Sequence, residues 1–390
     1  MPATVVIGPA VPAPPVVAMV AGEASGDILA GLLLDGLRER WPGLLASGIG
    51  GAHMVRRGFQ ALWASDRLAV RGYVEVLGRY REIVSIRRRL RERLLREPPS
   101  VFIGVDAPDF NLALERDLKA SGIKTVQFVC PSVWAWRAHR LQRMGQSVDH
   151  VLCVFPFEPA LLHSHGIAAT YVGHPLAHLI PMQSDRAAAR RAIGFSDADQ
   201  VLAILPGSRE SEVHYLARRF FDTAALLLRA RPGLRCVVPA LAPLRGAIQR
   251  IAAEAGLAGQ VTILQGQSHV ALAACDVTLV ASGTATLEAA LFKRPMVIAY
   301  NMHWLSWRMM RNKRLQPWVG LPNILCGDFV VPEFLQDGAT PAAMAEAVAH
   351  WLDAPSAREA LHRRFSALHV DLLRDTPRLA AQAIEQVLRG

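Results

Sequence analysis

The feature that most constrains this chain is a recurring unit of a short apolar run, a polar or glycine-containing loop and a helical pattern. The clearest copy is Val201–Val213, where Val201–Leu205 is apolar throughout. A strand without polar alternation is typical of a parallel sheet that is buried on both faces. Pro206–Ser208 ends this strand, and Arg209-Glu210-Ser211-Glu212 is predicted to open a helix. Repetition of such units predicts an α/β protein with parallel sheets.

The turn at Pro206–Arg209 has two interpretations. A strand-to-helix turn leaves backbone N–H groups at the positive end of a helix, which favours a phosphate or another anion. The guanidinium of Arg209 adds a forked donor next to Ser208. The alternative is an ordinary turn with a solvated arginine, and these residues alone do not decide between the two.

The α/β rhythm occurs twice within 390 residues, which indicates two domains. We assign residues 16–180 to the first domain and 201–355 to the second, with a linker at 181–200 where the periodicity is lost. Residues 356–390 are expected to form C-terminal helices that can cross back to the first domain. Residues 1–15 are Pro-rich and contain no Lys or Arg, so we expect a disordered leader rather than a signal peptide.

Polar loops follow other apolar runs. In open α/β sheets ligands bind outside the carboxyl ends of the strands. Asp106 and Asp109 follow the run Val101–Val105, which places two carboxylates where chemistry would occur. The segment Ser282–Glu288 follows Val277–Ala281 and combines hydroxyls, a glycine and a carboxylate. This chemistry fits a phosphate and a ribose, although a helix cap would also explain it.

Several classes of protein are disfavoured by the composition. Five scattered cysteines without a C-x-x-C pair are typical of reduced core thiols in a cytosolic protein. No apolar run reaches about 18 residues, so no membrane-spanning helix is expected. Asp197-Ala198-Asp199 matches a metal-binding pattern but precedes its strand, so we interpret it as a turn. His163-Ser164-His165 lacks partner ligands at zinc spacing, and no metal is expected.

The net charge of +10 indicates an anionic partner. Residues 78–97 predict an amphipathic helix with an arginine-rich face, which either packs on the sheet or meets anionic lipid. Residues 301–321 place Trp and Met among Arg and Lys, which suits either a membrane interface or a bridge between domains. No basic stripe interleaved with aromatics and no known nucleic-acid module is present, so no nucleic acid is expected.

Seven strings in fixed order make the sequence resemble the lipid-A-disaccharide synthase family of bacterial glycosyltransferases. They are GEASGD (22–27), GVDAPDFN (104–111), PSVWAWR (131–137), FPFE (155–158), LPGSRESEV (205–213), SGTATLEAAL (282–291) and LPNIL (321–325). The resemblance runs from Val16 to the C-terminus and leaves out residues 1–15. Family loops vary at Ala24 and at Glu210-Ser211.

The resemblance implies two facing Rossmann-like domains of the GT-B glycosyltransferase type, with the active site in the cleft between them. It implies that UDP-2,3-diacylglucosamine donates its sugar, with inversion, to the 6-hydroxyl of 2,3-diacylglucosamine 1-phosphate. The products are the β-1,6-linked disaccharide 1-phosphate and UDP, formed without a metal or cofactor. It also implies a cytoplasmic protein that binds the anionic inner-membrane surface peripherally; a homodimer is left open.

Within this reaction we expect Asp106 to accept the proton of the attacking hydroxyl, with Asp109 in reserve, because Asp106 comes first after its strand. Arg209 is expected to stabilise the diphosphate as the leaving group gains charge. Glu288 would hold the ribose. The expected substrate- and UDP-binding residues lie on the first loop and in the second domain: Glu23, Ser25, Asp27, Ser208, Gln267, Ser282, Gly283, Thr284, Ala285, Glu288, Asn323 and Glu333.

Two alternatives remain from the sequence alone. One is another UDP-sugar enzyme on the same fold, either a different glycosyltransferase or an epimerase. The other is a basic protein without chemistry, such as a lipid-binding scaffold, which would have no reason to place Asp106 and anion-binding loops at strand ends.

Overall fold

The computed structural model describes residues 14–22, 24–68, 73–132, 139–302, 307–308 and 316–390. These residues form two compact units. The first contains the described residues up to 132, residues 139–173 and residues 374–390, and the second contains the described residues of 174–373. The chain therefore enters the second unit after Gly173 and returns to the first for its last helix.

The first unit is built on a seven-stranded parallel sheet in the order β3-β2-β1-β4-β5-β6-β7. Its strands are β1 (Val16–Ala21), β2 (Leu45–Gly50), β3 (Gln60–Ala64), β4 (Val101–Val105), β5 (Lys124–Phe128), β6 (His150–Cys153) and β7 (Ala169–Tyr171). Every residue of β4 is buried, as its unbroken apolar run predicts.

The second unit is built on a six-stranded parallel sheet in the order β10-β9-β8-β11-β12-β13. Its strands are β8 (Gln200–Leu205), β9 (Leu234–Ala240), β10 (Val261–Gln265), β11 (Val277–Ala281), β12 (Met296–Tyr300) and β13 (Glu333–Leu335). The prediction of an α/β protein with two parallel sheets is confirmed.

Helices connect the strands. In the first unit they are α1 (Ala24–Arg40), α2 (Ala52–Val55), α3 (Tyr73–Arg96), α4 (Pro108–Ala120), α5 (His139–Ser147) and α6 (Glu158–His163). In the second they are α7 (Leu176–Leu179), α8 (Arg186–Ala192), α9 (Glu210–Ala230), α10 (Arg245–Glu254), α11 (Ser268–Ala274), α12 (Thr284–Leu291), α13 (Leu321–Cys326), α14 (Pro341–Asp353) and α15 (Pro355–Leu372). The last helix, α16 (Thr376–Arg389), packs against α1 in the first unit.

The described side chains of helix α3 show which of its residues pack against the sheet. Its residues Ile86, Leu90 and Leu94 are buried in the same core as β4 and α4, whereas Arg88 and Arg89 are exposed. The apolar face formed by these three residues is therefore used in packing. Among the described side chains of this helix, the exposed arginines remain accessible to an anionic surface.

Two other predictions concern metal and disulfide chemistry. Asp197-Ala198-Asp199 forms a turn in which Asp199 Oδ2 accepts from the Ser196 N–H (2.8 Å), as expected. Four of the five cysteines are buried, but Cys326 is half-exposed and is not a core thiol.

None of the helices in the described part of the chain is long and apolar enough to cross a membrane.

Each sheet has one point where the strand order reverses. In the first sheet this point lies between β1 and β4, and in the second it lies between β8 and β11. The loops that follow two such strands separate there and leave a crevice at the carboxyl edge of the sheet. The loops of Asp106 and Arg209 each border one of these crevices.

Candidate functional site

The loop after β4 holds Asp106 in an unusual backbone conformation. Asp106 has φ +53° and Ala107 has φ +42°, both in the left-handed region that residues other than glycine rarely adopt. The Asp106 N–H donates to the Phe128 carbonyl (2.9 Å), and the Asp106 carbonyl accepts from Asn111 Nδ2 (2.9 Å) and Gln127 Nε2 (3.1 Å). Strained residues cost about 1–3 kcal/mol each and persist where the surroundings impose them, often at functional sites.

The loop after β1 touches the Asp106 loop. A Cβ at Gly22 would lie 2.9 Å from the Ala107 Cβ, so any side chain at position 22 would collide with the neighbouring loop. The string GEASGD therefore begins beside GVDAPDFN because β1 and β4 are adjacent. Ser25 is exposed in the first turn of α1, whereas Glu23 lies outside the described residues.

Asp27 has a different role from the one expected. Its side chain is 4% exposed, with Oδ1 accepting from the N–H groups of Gly51 (2.8 Å) and Met54 (3.1 Å) and Oδ2 accepting from His53 (2.8 Å). These are the free donors at the start of α2, so Asp27 caps that helix from a distance in sequence. This geometry fits a residue that fixes the loop after β2 rather than one that contacts substrate.

Asp109 lies on the surface. It is exposed in the first turn of α4, directly after Pro108. A carboxylate at this position stabilises the positive end of the helix. The structure therefore separates the two carboxylates, because only Asp106 sits in the strained loop.

In the second unit, Glu212 organises the loop after β8. Glu212 Oε2 accepts from the N–H groups of Ser208 (2.8 Å) and Arg209 (3.2 Å). The expectation that these two donors are free for an anion is therefore wrong, because α9 supplies its own carboxylate. The Arg209 side chain is 80% exposed, with Nη1 only 3.5 Å from Glu212 Oε1. Its guanidinium is thus presented to solvent from a fixed turn.

Tyr300, at the end of β12, belongs to the same surroundings. Burial raises the pKa of its hydroxyl, the charge of Glu212 raises that pKa further, and the charge of Arg209 lowers it. These opposing effects place the Tyr300 hydroxyl within electrostatic reach of both side chains. Its position on an apolar strand gave no functional signal in the sequence.

The loop after β11 presents open backbone next to the Arg209 turn. Gly283 is exposed with φ +152°, and no described atom lies within 4 Å of the place where a Cβ would be. Thr284 is exposed at the start of α12 and Ala285 is half-buried, while the Ser282 hydroxyl donates to the Val319 carbonyl (3.1 Å). This surface can accept a polar group of a ligand.

Glu288 is accompanied by a histidine that the sequence did not suggest. Glu288 Oε2 lies 3.7 Å from His269 Nε2. Burial raises the pKa of Glu288 and lowers the pKa of His269, so burial disfavours the charged form of both. Gln267 is exposed just before α11, in a left-handed conformation with φ +59°. Helices α11 and α12, which follow β10 and β11, thus bring a carboxyl and an imidazole together.

Asn323 and Glu333 form an internal network. Asn323 is fully buried, its Nδ2 donates to Val331 O (2.9 Å) and Glu333 Oε1 (2.8 Å), and its Oδ1 accepts from two backbone N–H groups. Glu333 also accepts from the N–H groups of Val319 and Gly320. All four hydrogen-bonding positions of the Asn323 amide are thus occupied within the protein. Both residues fit the positioning of the segment after 318 rather than contact with a donor sugar.

The comparisons with known proteins identify the family. The model of the family described as "Lipid-A-disaccharide synthetase" matches residues 17–384. The lipid-A-disaccharide synthase of Albidiferax ferrireducens is 66% identical over 379 residues, which cover 96% of this chain and 97% of that protein. The chain belongs to the lipid-A-disaccharide synthase family.

Solved structures agree with the fold. The UDP-GlcNAc 2-epimerase from Neisseria meningitidis, bound to UDP-GlcNAc, has a TM-score of 0.63 at 11% identity and covers 96% of this chain and 100% of its own. A glycosyltransferase from Rickettsia africae has a TM-score of 0.58 at 11% identity and covers 96% and 97% of the two chains. At such identities the likeness shows the fold, which is that of the GT-B glycosyltransferases.

Membership of the lipid-A-disaccharide synthase family settles the class of function. The protein is an enzyme, a glycosyltransferase of lipid A biosynthesis. The alternative of a basic scaffold without chemistry is therefore wrong. Family membership also implies UDP-sugar and phosphosugar substrates.

Some predicted features lie outside the described residues. These are Glu23, residues 133–137 of the string PSVWAWR, and residues 303–306 and 309–315 of the Trp- and Arg-rich segment 301–321. Within the described ranges, no group of three His, Cys, Asp or Glu side chains is arranged to hold a metal ion.

Proposed function

We propose that this enzyme transfers the sugar of UDP-2,3-diacylglucosamine to the 6-hydroxyl of 2,3-diacylglucosamine 1-phosphate with inversion. The hydroxyl oxygen forms a bond to the anomeric carbon while the bond from that carbon to the diphosphate breaks. The proton goes to a base and the bonding electrons leave with UDP. The observation that carries the proposal is the strained and hydrogen-bonded Asp106 loop in a member of this family.

Asp106 is the proposed base. It is half-buried, it follows β4 at the point where the strand order reverses, and its peptide is held by three hydrogen bonds. A positioned base contributes about 10²–10⁴-fold to such a step. Asp109 is exposed on a helix surface, so it remains the reserve candidate.

The second unit is proposed to hold UDP. Arg209 offers an exposed cation from a turn that Glu212 fixes, and the adjacent loop after β11 offers the Gly283 backbone and the Thr284 hydroxyl. As the diphosphate gains charge on leaving, a preplaced guanidinium stabilises it without a metal ion. Glu288 and His269 are proposed to face the ribose side of the nucleotide.

The direct test of substrate identity is an assay of UDP release with donors and acceptors in four combinations, acylated or not. We expect substantial UDP release only when both sugars are acylated, with a disaccharide 1-phosphate as the product. Release of UDP from a non-acylated donor at an equal rate would contradict the proposed substrates. Turnover should persist in EDTA, and a requirement for added metal would overturn the metal-independent mechanism.

We also propose that the enzyme works at the anionic cytoplasmic face of the inner membrane, because its substrates are acylated. The exposed arginines of α3 and the net charge of +10 support electrostatic docking. Each cation near an anionic leaflet contributes about 1 kcal/mol. The enzyme should float with anionic vesicles at low salt and be released by high salt; absence of binding to anionic vesicles at low salt would overturn the proposal.

A further inference from the structure

A buried carboxyl lies behind the Asp106 loop. Glu115 is 0% exposed on α4, four residues after Asn111, which is also 0% exposed. Gln127 on β5 is buried beside them. A Cβ at Gly104 would lie 2.4 Å from Glu115 Oε1 and 2.7 Å from Gln127 Oε1, so a glycine on β4 makes room for both groups.

The orientations of the two amides follow from their partners. Gln127 Nε2 lies within hydrogen-bonding distance of the carbonyl oxygens of Asp106 (3.1 Å), Phe128 (3.3 Å) and Val129 (3.3 Å). Asn111 Nδ2 donates to the Asp106 carbonyl (2.9 Å). Carbonyl oxygens only accept, so the nitrogen of each amide must face them.

The oxygens of the same amides then need donors. Asn111 Oδ1, Gln127 Oε1 and both carboxyl oxygens of Glu115 are buried without a hydrogen-bond partner among the described residues. An ionised carboxylate only accepts, whereas a protonated carboxyl supplies one O–H donor. Buried polar groups without partners are costly, and a proton on Glu115 provides the donor that this cluster lacks.

We propose that Glu115 acts as a neutral, proton-donating positioning residue, whose O–H donates to the Gln127 amide oxygen and thereby holds the amides that fix the Asp106 peptide. The inference rests on the proposed role of Asp106. It makes Glu115 neither a base nor a substrate ligand. Its effect on the reaction passes through the left-handed conformation of Asp106 and Ala107.

The electrostatics of the site agree with this geometry. Burial raises the pKa of Glu115 to about 8, and the nearby Gly104 backbone opposes this shift only in part. The groups placed against Glu115 from β4, β5 and its own helix are Gly104, Gln127 and Asn111, none of which titrates. Charged groups on neighbouring faces are paired elsewhere, Arg91 with Asp117 and Lys119 with Asp149.

The sign of the pH dependence follows. The unfolded chain ionises Glu115 above its ordinary pKa of 4.5, whereas the folded protein keeps the proton until about pH 8. Between these values the folded state binds more protons than the unfolded state. The contribution of Glu115 to the free energy of unfolding therefore decreases as the pH rises from 4.5 to about 8, and it changes little above that pH. Glu115→Gln keeps a donor and an acceptor but does not titrate.

The test compares Glu115→Gln with Glu115→Met. We expect kcat of the Gln variant to stay within about twofold of wild type, and kcat of the Met variant to fall roughly tenfold to a hundredfold at unchanged UDP affinity, because the base is displaced. Above pH 8, kcat should fall in wild type more than in Glu115→Gln. A Gln variant as impaired as the Met variant, or a Met variant with normal kcat, would overturn the proposal.

A second measurement does not depend on catalysis or on the folding of the Met variant. The Tm of wild type minus that of Glu115→Gln should decrease as the pH rises from about 5.5 to about 8.5, since only wild type carries the titrating group. A constant difference overturns the neutral carboxyl. A wrong base assignment for Asp106 can be told apart from a wrong proposal for Glu115. If only the base assignment is wrong, Asp106→Asn keeps its turnover, while the difference in Tm between wild type and Glu115→Gln still changes with pH.

Discussion

The carboxyl edges of the two sheets have the same arrangement of parallel strands, but their loops differ in burial and in the groups that they present. In the first unit, the loop after β4 is strained, half-buried and supported by buried amides. In the second, the loops after β8 and β11 present an exposed guanidinium, an exposed glycine and an exposed hydroxyl. A base must be held to within a fraction of an ångström of its productive position, at hydrogen-bonding distance from the hydroxyl that it deprotonates. A receptor for a diphosphate needs accessible cations and donors, and these tolerate looser placement.

The comparison predicts its largest effect at the first edge. Asp106→Asn should lower the rate of disaccharide formation by roughly 10²–10⁴-fold, because the amide cannot accept the proton. The measurement is steady-state UDP release with both acylated substrates. Asp109→Asn is the matched control, since Asp109 is exposed in the first turn of α4, and it should stay close to wild type. Near-normal turnover of Asp106→Asn would remove the base assignment.

At the second edge, Arg209→Ala should weaken UDP binding by roughly tenfold and lower turnover with it, because a charge-assisted contact to the diphosphate is lost. Calorimetric titration with UDP measures the first effect. Arg218→Ala removes another exposed arginine from α9, where it pairs with Asp222 (2.9 Å), and should change neither quantity. Unchanged UDP affinity in Arg209→Ala would refute its role.

A third substitution separates positioning from ligand contact. Asp27→Ala leaves three backbone N–H groups of the α2 start without their acceptor and should lower the free energy of unfolding by about 1–3 kcal/mol. Thermal unfolding measures this loss. Asp35 lies on α1, as Asp27 does, and Asp35→Ala breaks only a surface ion pair with Arg57 (2.8 Å). This control should lower the free energy of unfolding by less than about 1 kcal/mol. If Asp27→Ala instead weakened substrate binding at unchanged stability, the capping role would be wrong.

The smallest expected effect is at the open loop after β11. Thr284→Ala removes one exposed hydroxyl and should weaken UDP binding by about threefold to tenfold, as expected for one neutral hydrogen bond. Ser121→Ala in the first unit removes a hydroxyl that donates to the Asp117 carbonyl (3.1 Å) and should leave UDP affinity unchanged. Equal UDP affinities of the two variants would argue that the hydroxyl of Thr284 does not contact the nucleotide.

The sequence predicted the parts of this fold that depend on local pattern. Unbroken apolar runs located β4, β8 and β11, and the spacing of Ile86, Leu90 and Leu94 predicted an apolar face on α3, which the structure buries against the sheet. Because the carboxyl ends of parallel strands share one edge, the same runs also located the loops of Asp106 and Arg209.

What the sequence could not predict depends on contacts between distant segments. Ala107 precedes a proline, which normally favours extended backbone, so its left-handed conformation was not foreseeable. Asp27 on α1 caps α2, and β2 separates these two helices in the sequence. Glu115 has the sequence pattern of an ordinary helix-surface residue, but packing against β4 and β5 buries it. Glu212 was the one missed residue with a local signal, a Glu three positions after the helix N-cap.

The central claim is that the two edges divide the work, with the base on the first unit and the UDP site on the second. The most direct measurement is calorimetric titration of UDP into Asp106→Asn alongside Arg209→Ala. We predict that Asp106→Asn binds UDP with the affinity of wild type although it has lost turnover, while Arg209→Ala binds UDP roughly tenfold more weakly. Loss of UDP affinity in Asp106→Asn together with wild-type affinity in Arg209→Ala would contradict the account.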